Sequence, residues 1–172
     1  KPRKLMFCLM FPVSAAVFLL GYLNRFGIYP IKMEYASPSF ISTIGNLNWY
    51  CGYVVSVLFG GIALLWLGSA QKPWQRVLLT AYAVLGLGTL VTQGSDSGVA
   101  ALAAVLIILF WLSAASPERM AGFWRIMLTF CGSCLFTYAI QKTGLAELNY
   151  WSDPMQILLH EWFLFPMTAV SV

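Results

Sequence analysis

Charge is what this sequence has least of. Only 9% of its 172 residues are Asp, Glu, Lys or Arg, where a soluble domain carries roughly a quarter. Ten basic and six acidic side chains are too few to coat a core of this size in water, which excludes an ordinary soluble domain. The net charge of +4 forms no basic patch interleaved with aromatics, because the Lys and Arg residues sit at the ends of apolar runs, and this excludes nucleic acid as a partner. A disulfide framework is also missing: Cys8, Cys51, Cys131 and Cys134 all fall inside apolar runs. No small-residue cleavage site follows the first of those runs, so it reads as a retained helix and not as a signal peptide.

What the sequence does have is apolar length, with 60% hydrophobic residues. The runs predict an all-α, polytopic transmembrane bundle forming a single domain over residues 1–172, with about five spans near 5–23, 49–67, 77–91, 97–112 and 126–140. Pro12 interrupts the first run, which a membrane helix tolerates when its neighbours satisfy the freed carbonyl. An interfacial or partial helix is expected over about 155–172, marked by Trp151 and Trp162 among apolar residues. The start at Lys1 and the apolar finish from Phe163 to Val172 read as cuts in a longer chain, with further helices or subunits outside it.

Orientation follows from the basic residues. With the N-terminus in the cytoplasm, Lys1, Arg3, Lys4, Lys72, Arg76, Arg119 and Arg125 lie inside, leaving only Arg25, Lys32 and Lys142 outside. The expected location is therefore the cytoplasmic membrane, multi-pass, with most acidic side chains outward.

Several residues could carry chemistry. Cys131-Gly-Ser-Cys134 has the spacing of a zinc or redox pair, but it lies within a span without a second pair, and two small packing residues are the ordinary reading; no metal is expected. His160 with Glu161 places an imidazole beside a carboxylate, a pair suited to general-base work, although a headgroup-level polar residue has the same signature. Gly52, Gly60, Gly61, Gly86 and Gly88 read as close-packing positions between helices. Two polar clusters open spans on the outward side: Ser42-Thr43-Ile44-Gly45-Asn46-Leu47-Asn48-Trp49, and Thr92-Gln93-Gly94-Ser95-Asp96-Ser97-Gly98. Capping by Asn48 and Ser97 needs one such residue per helix. The surplus amides and hydroxyls, at two helix N-termini with positive dipole ends, suit an anionic substrate such as a phosphate.

At these same residues the chain resembles bacterial O-antigen ligases and related lipid-linked polysaccharide polymerases. Members show S-T-x-G-N-x-N, a bulky residue and a nearby G-Y, matched here by Ser42, Thr43, Gly45, Asn46, Asn48, Trp49, Gly52 and Tyr53. Two spans on they show T-Q-S-R-G before a small-residue, leucine-rich helix, matched by Thr92-Gln93-Gly94-Ser95-Asp96-Ser97-Gly98 and the Val99-Ala-Ala-Leu-Ala-Ala run. The match covers about residues 40–115. It implies a glycan transferase that needs no metal or cofactor and draws on an undecaprenyl-linked donor at the outer face of the cytoplasmic membrane. The motif's arginine, suited to a pyrophosphate, has no counterpart, since Ser95 or Asp96 stands nearest. In this reading Asn46, Asn48, Gln93, Ser95 and Asp96 bind substrate, Arg25 and Lys32 supply positive charge, and His160 with Glu161 is the catalytic pair. Family members are longer, with a large outer loop bearing a catalytic histidine. The competing expectation is a non-enzymatic component, either part of a transporter with Asp96 at an ion path or a small subunit packing against a larger partner.

Overall fold

A computed structural model describes residues 2–31, 40–68, 72–149 and 151–171. The chain is an all-α bundle with, among the described residues, five helices long and apolar enough to cross a membrane, which makes it a multi-pass membrane protein. They are α1 (Pro2–Arg25), α2 (Leu47–Leu67), α3 (Pro73–Gln93), α4 (Asp96–Ser113) and α5 (Pro117–Lys142), followed by the short α6 (Asp153–Leu158) and α7 (Glu161–Ser171). At 21 residues, α2 and α3 are each about 31 Å long, the thickness of a bilayer's hydrocarbon core. Between α1 and α2 lies a two-rung antiparallel ladder, β1 (Phe40–Ile41) against β2 (Gly45–Asn46).

The helices outrun the apolar segments that announce them. The polar stretch 92–98 shrinks to two residues, Gly94 and Ser95, because Thr92 and Gln93 finish α3 and Asp96 starts α4. The segment 117–125, expected as a loop, is the first part of α5: Ser116 caps it by accepting from the Arg119 N–H at 3.3 Å, and Pro117 follows at the first helical position. The helix expected over about 155–172 is interrupted at Leu159–His160, and α7 turns back along α5. Tyr138 of α5 faces Phe165, with ring centroids 6.1 Å apart, and Cys131 reaches Ser171 at 3.6 Å. The two helices therefore run antiparallel, and α7 is a partial helix set into the bundle.

The centre of the molecule is α3, which packs against α1, α2 and α5; half of its apolar window is buried, against 22% for α4 at the periphery. Two glycines allow the close approach. A Cβ at Gly86 would lie 2.6 Å from Leu58 and 2.9 Å from Phe18, and one at Gly61 would lie 2.6 Å from Tyr82. Gly52 and Gly60, read as packing positions, meet no atom within 4 Å and face away from the neighbouring helices. Lateral hydrogen bonds reinforce the seams. Thr89 donates to the Phe18 carbonyl at 3.1 Å, Tyr22 and Thr137 share a bond of 2.9 Å, and Ser14 beside Pro12 meets the Tyr82 hydroxyl at 3.0 Å. At the other end, Trp66 Nε1 donates to Ser113 at 2.8 Å. Cys131 and Cys134 are buried free thiols inside α5, the packing role expected for them.

Candidate functional site

The ends of α1, α3 and α5 and the starts of α2 and α4 share one side of the bundle, and most of the polar sequence collects there. Arg25 closes α1, where a cation meets the negative end of the helix dipole. Its side chain crosses to α3: Nε donates to Gln93 Oε1 at 2.9 Å and Nη2 to the Gln93 carbonyl oxygen at 2.9 Å. That carbonyl is one of the last four of α3, which lack acceptance within their own helix, so the arginine caps a helix that is not its own. Gln93 Nε2 donates back to the Gly21 carbonyl at 3.3 Å, closing a two-way clasp. Both side chains are buried, Arg25 at 1% and Gln93 at 0% exposure.

The segment after α5 covers this clasp. The Asn149 N–H donates to the Arg25 carbonyl at 2.9 Å, filling an end group of α1. Gly94 ends α3 at φ 63°, the left-handed conformation glycine adopts without strain. A Cβ at Gly94 would overlap Ser152 Oγ and come within 2.8 Å of Met155 Sδ. Ser152 in turn caps α6 by accepting from the Met155 N–H at 3.4 Å. On the other flank, Asn24 accepts from the Ser42 N–H at 2.9 Å and donates to the Ile28 carbonyl at 3.1 Å, while Ser42 Oγ donates to the Val17 carbonyl at 3.0 Å. Ser42 holds φ 55°, uncommon for a non-glycine residue, and these bonds fix it there.

The residues singled out from the sequence fall into three groups. Arg25 and Gln93 come together directly. Asn46 caps α2, its side chain accepting from the N–H groups of Asn48 at 2.9 Å and Trp49 at 3.3 Å, so the cap is Asn46 where Asn48 was expected. Asn48 and Asp96 are exposed, the latter in the first turn of α4, where a carboxylate suits the dipole. Ser95, at the cap position of α4, is buried and bonds Ser97 at 2.9 Å. The starts of α2 and α4 adjoin, since a Cβ at Gly98 would lie 3.5 Å from Cys51 Cβ. Lys32 lies outside the described residues.

His160 and Glu161 occupy the break between α6 and α7 and turn in different directions. His160 Nδ1 accepts from the Trp162 N–H at 3.4 Å, and the His160 carbonyl begins α7 by accepting from Phe163 and Leu164. The Glu161 carboxylate accepts from the Tyr138 hydroxyl and pairs with Lys142 at 3.5 Å. The Tyr138 hydrogen bond, and after it the Lys142 charge, hold the Glu161 carboxyl below the usual glutamate value. Among the described residues no bond joins the imidazole to this carboxylate.

Sequence reasoning did not find Asn24, Asn149 or Ser152. Gly94 was the one local sign of Ser152, because a glycine that ends a helix allows another segment to lie against it. Among the described residues no three His, Cys, Asp or Glu side chains converge as a metal site, and no buried side-chain nitrogen or oxygen lacks a partner. Comparison with known proteins brings no match: no family model, curated protein or solved structure corresponds to the chain.

Proposed function

We propose that this chain is a membrane-embedded glycan transferase of the O-antigen ligase or polymerase kind, taking its donor from an undecaprenyl pyrophosphate carrier. It works in the cytoplasmic membrane with its N-terminus in the cytoplasm and the Arg25 end at the outer face. One observation carries the reading. The T-Q-G-S-D-S-G segment lacks the arginine of the family pattern, and Arg25 of α1 lies against Gln93 of that segment at 2.9 Å. A guanidinium thus stands beside the motif although it comes from another helix, close to the adjoining N-termini of α2 and α4, whose dipoles also favour an anion.

In this reading the acceptor sugar's hydroxyl oxygen bonds to the donor's anomeric carbon as the bond to the pyrophosphate oxygen breaks. The carrier leaves as the diphosphate with the bonding electrons, and the hydroxyl proton passes to His160 Nδ1 once that nitrogen is released from the Trp162 N–H. Arg25 stabilises the charge on the leaving group, and Asn46, Asn48, Ser95 and Asp96 orient the sugars. Because Arg25 is almost fully buried, the carrier's phosphates reach it only when neighbouring chain, such as Asn149 on the Arg25 carbonyl, moves aside.

The test is transfer by the full-length protein in liposomes supplied with lipid-linked glycan and an acceptor. Arg25→Ala is expected to lower the rate by about a hundredfold, the scale of losing one charge-stabilising group, with helical content retained. Undiminished transfer by Arg25→Ala and Gln93→Ala proteins removes the reading.

A second reading has its own support. Both ends of the Gln93 amide and the Asn46 oxygen are spent on other parts of the chain, as a joint requires in a non-enzymatic subunit or transporter part that packs with a larger partner. In that case Gln93→Ala lowers stability or partner binding and no transfer is seen with the wild type. Proton-coupled flux that is lost in Asp96→Asn would favour the transporter form.

A further inference from the structure

Below the Arg25 clasp, a groove of about 570 Å³ runs from Tyr22 and Gly88 down the flank between α3 and α5. Its walls include Val84 and Gly88 of α3, Tyr22 of α1, and Ser133 and Phe136 of α5, and Arg76 stands at its opposite end. We propose that this groove binds one anionic glycerophospholipid, with its phosphate at Arg76 and an acyl chain lying along α3.

Length, width and charge support that occupant. From Arg76 to Gly88 the helix rises about 18 Å, close to the depth of one leaflet of a hydrocarbon core about 30 Å thick. The groove opens on the flank of the bundle that faces the acyl chains. It is wide enough for a hydrocarbon chain, because small residues form its floor. A Cβ at Gly88 would already lie 3.3 Å from the Tyr22 ring. The Tyr22 and Thr137 hydroxyls are spent on each other, so the end of the groove near the Arg25 side offers carbon surface.

The charge lies at the other end. Arg76 is exposed where it lines the groove, Lys72 is exposed at the N-cap of the same helix, and Trp74 between them is exposed, as a headgroup-level aromatic would be. Residues 72–93 contain no acidic side chain. An arginine fork matches a phosphate, and a second cation one turn away favours a headgroup of net negative charge over one that carries its own ammonium. The sites are separate, so lipid binding is read without any glycan assay.

The full-length protein in mild detergent is offered phosphatidylglycerol or phosphatidylcholine with identical chains, and bound lipid is counted by native mass spectrometry. Phosphatidylglycerol is expected to be retained about tenfold better, the worth of one charge-assisted contact. Arg76→Gln with Lys72→Gln is expected to erase that preference, and Arg119→Gln on α5 to preserve it. Gly88→Leu is expected to reduce retention of both lipids. If that variant fails to fold, Ala81→Phe, at an exposed position on the groove wall, tests the same blockage. Equal retention of the two lipids by the wild type, an unchanged preference in the double variant, or unchanged retention when the groove is filled overturns the proposal. So does a dimer mass in place of the lipid adduct.

Discussion

Arg25 and Gln93 illustrate how a buried cation becomes tolerable in a bundle with so little charge. The guanidinium meets the side-chain oxygen and the main-chain carbonyl of the same glutamine, which replaces part of the water it has lost. Gln93→Ala removes one acceptor and keeps the charge, so unfolding in detergent micelles is expected to show a loss of about 2 kcal/mol, the scale for a hydrogen bond to a charged group. An unchanged unfolding midpoint would mean that this contact adds nothing to stability. Gly94→Ala acts differently. It forces a Cβ into the left-handed region and onto Ser152 Oγ, and faster hydrogen exchange over residues 149–158 is expected, with a cost of at least about 1 kcal/mol. Gly94 hinted that another segment lies against it, whereas the Arg25–Gln93 contact was not legible in the sequence. Arg25 and Gln93 are 68 positions apart, and no periodicity or local motif links residues at that separation; Gln93 stood out as part of the polar motif before α4 and Arg25 as a source of positive charge, and nothing in the sequence paired them.

Individual helices were more legible than their ends. Apolar runs revealed the middle of every span, because lipid demands a continuous apolar surface there. They concealed Thr92, Gln93 and the start of α5, where polar side chains are helical yet lie at the headgroups or inside the bundle. Ser116 before Pro117 was a readable start signal, and it was outweighed by Glu118, Arg119 and Arg125 just after it. The turn at His160 was hidden for another reason: nothing local separates a long interfacial helix from two short ones when the deciding contact is made by Tyr138 and Lys142 on α5. That contact gives α7 a pH dependence. The folded-state pKa of Glu161 is lowered by its two partners, so its contribution is complete above the ordinary glutamate value of about 4.3 and is lost as pH falls through the lower folded value. Trp162 fluorescence is expected to report loosening of α7 in that acidic window, and Glu161→Gln is expected to flatten the response. A wild-type signal that stays constant through the window would sever the link between α7 and this carboxylate.

At the scale of the whole molecule, the five crossings place residues 94–96 on one side and residues 114–118 on the other. In the orientation proposed from the basic residues, the first faces the exterior and the second the cytoplasm. In intact cells expressing a Cys8→Ser background, a membrane-impermeant thiol reagent is expected to label Asp96→Cys and leave Glu118→Cys untouched until the membrane is opened; Cys8 is the exposed native thiol, and Cys51, Cys131 and Cys134 are buried. The reverse pattern would invert the chain and put the Arg25 end inside.

The outermost helix, α4, is held at its two ends, by the two-residue link to α3 and by the Trp66–Ser113 bond. Between them its inner side lies against α2 and α5, where Gly98, Leu102 and Leu109 are buried, while on its outer side Ile107 is 68% exposed and Trp111 80% exposed. Selection therefore has little hold on its outer surface. Among naturally varying copies of this gene, Ile107 and Trp111 should drift freely among oily residues of any shape, whereas Gly98, whose added methyl would stand 3.0 Å from Leu90, should stay small.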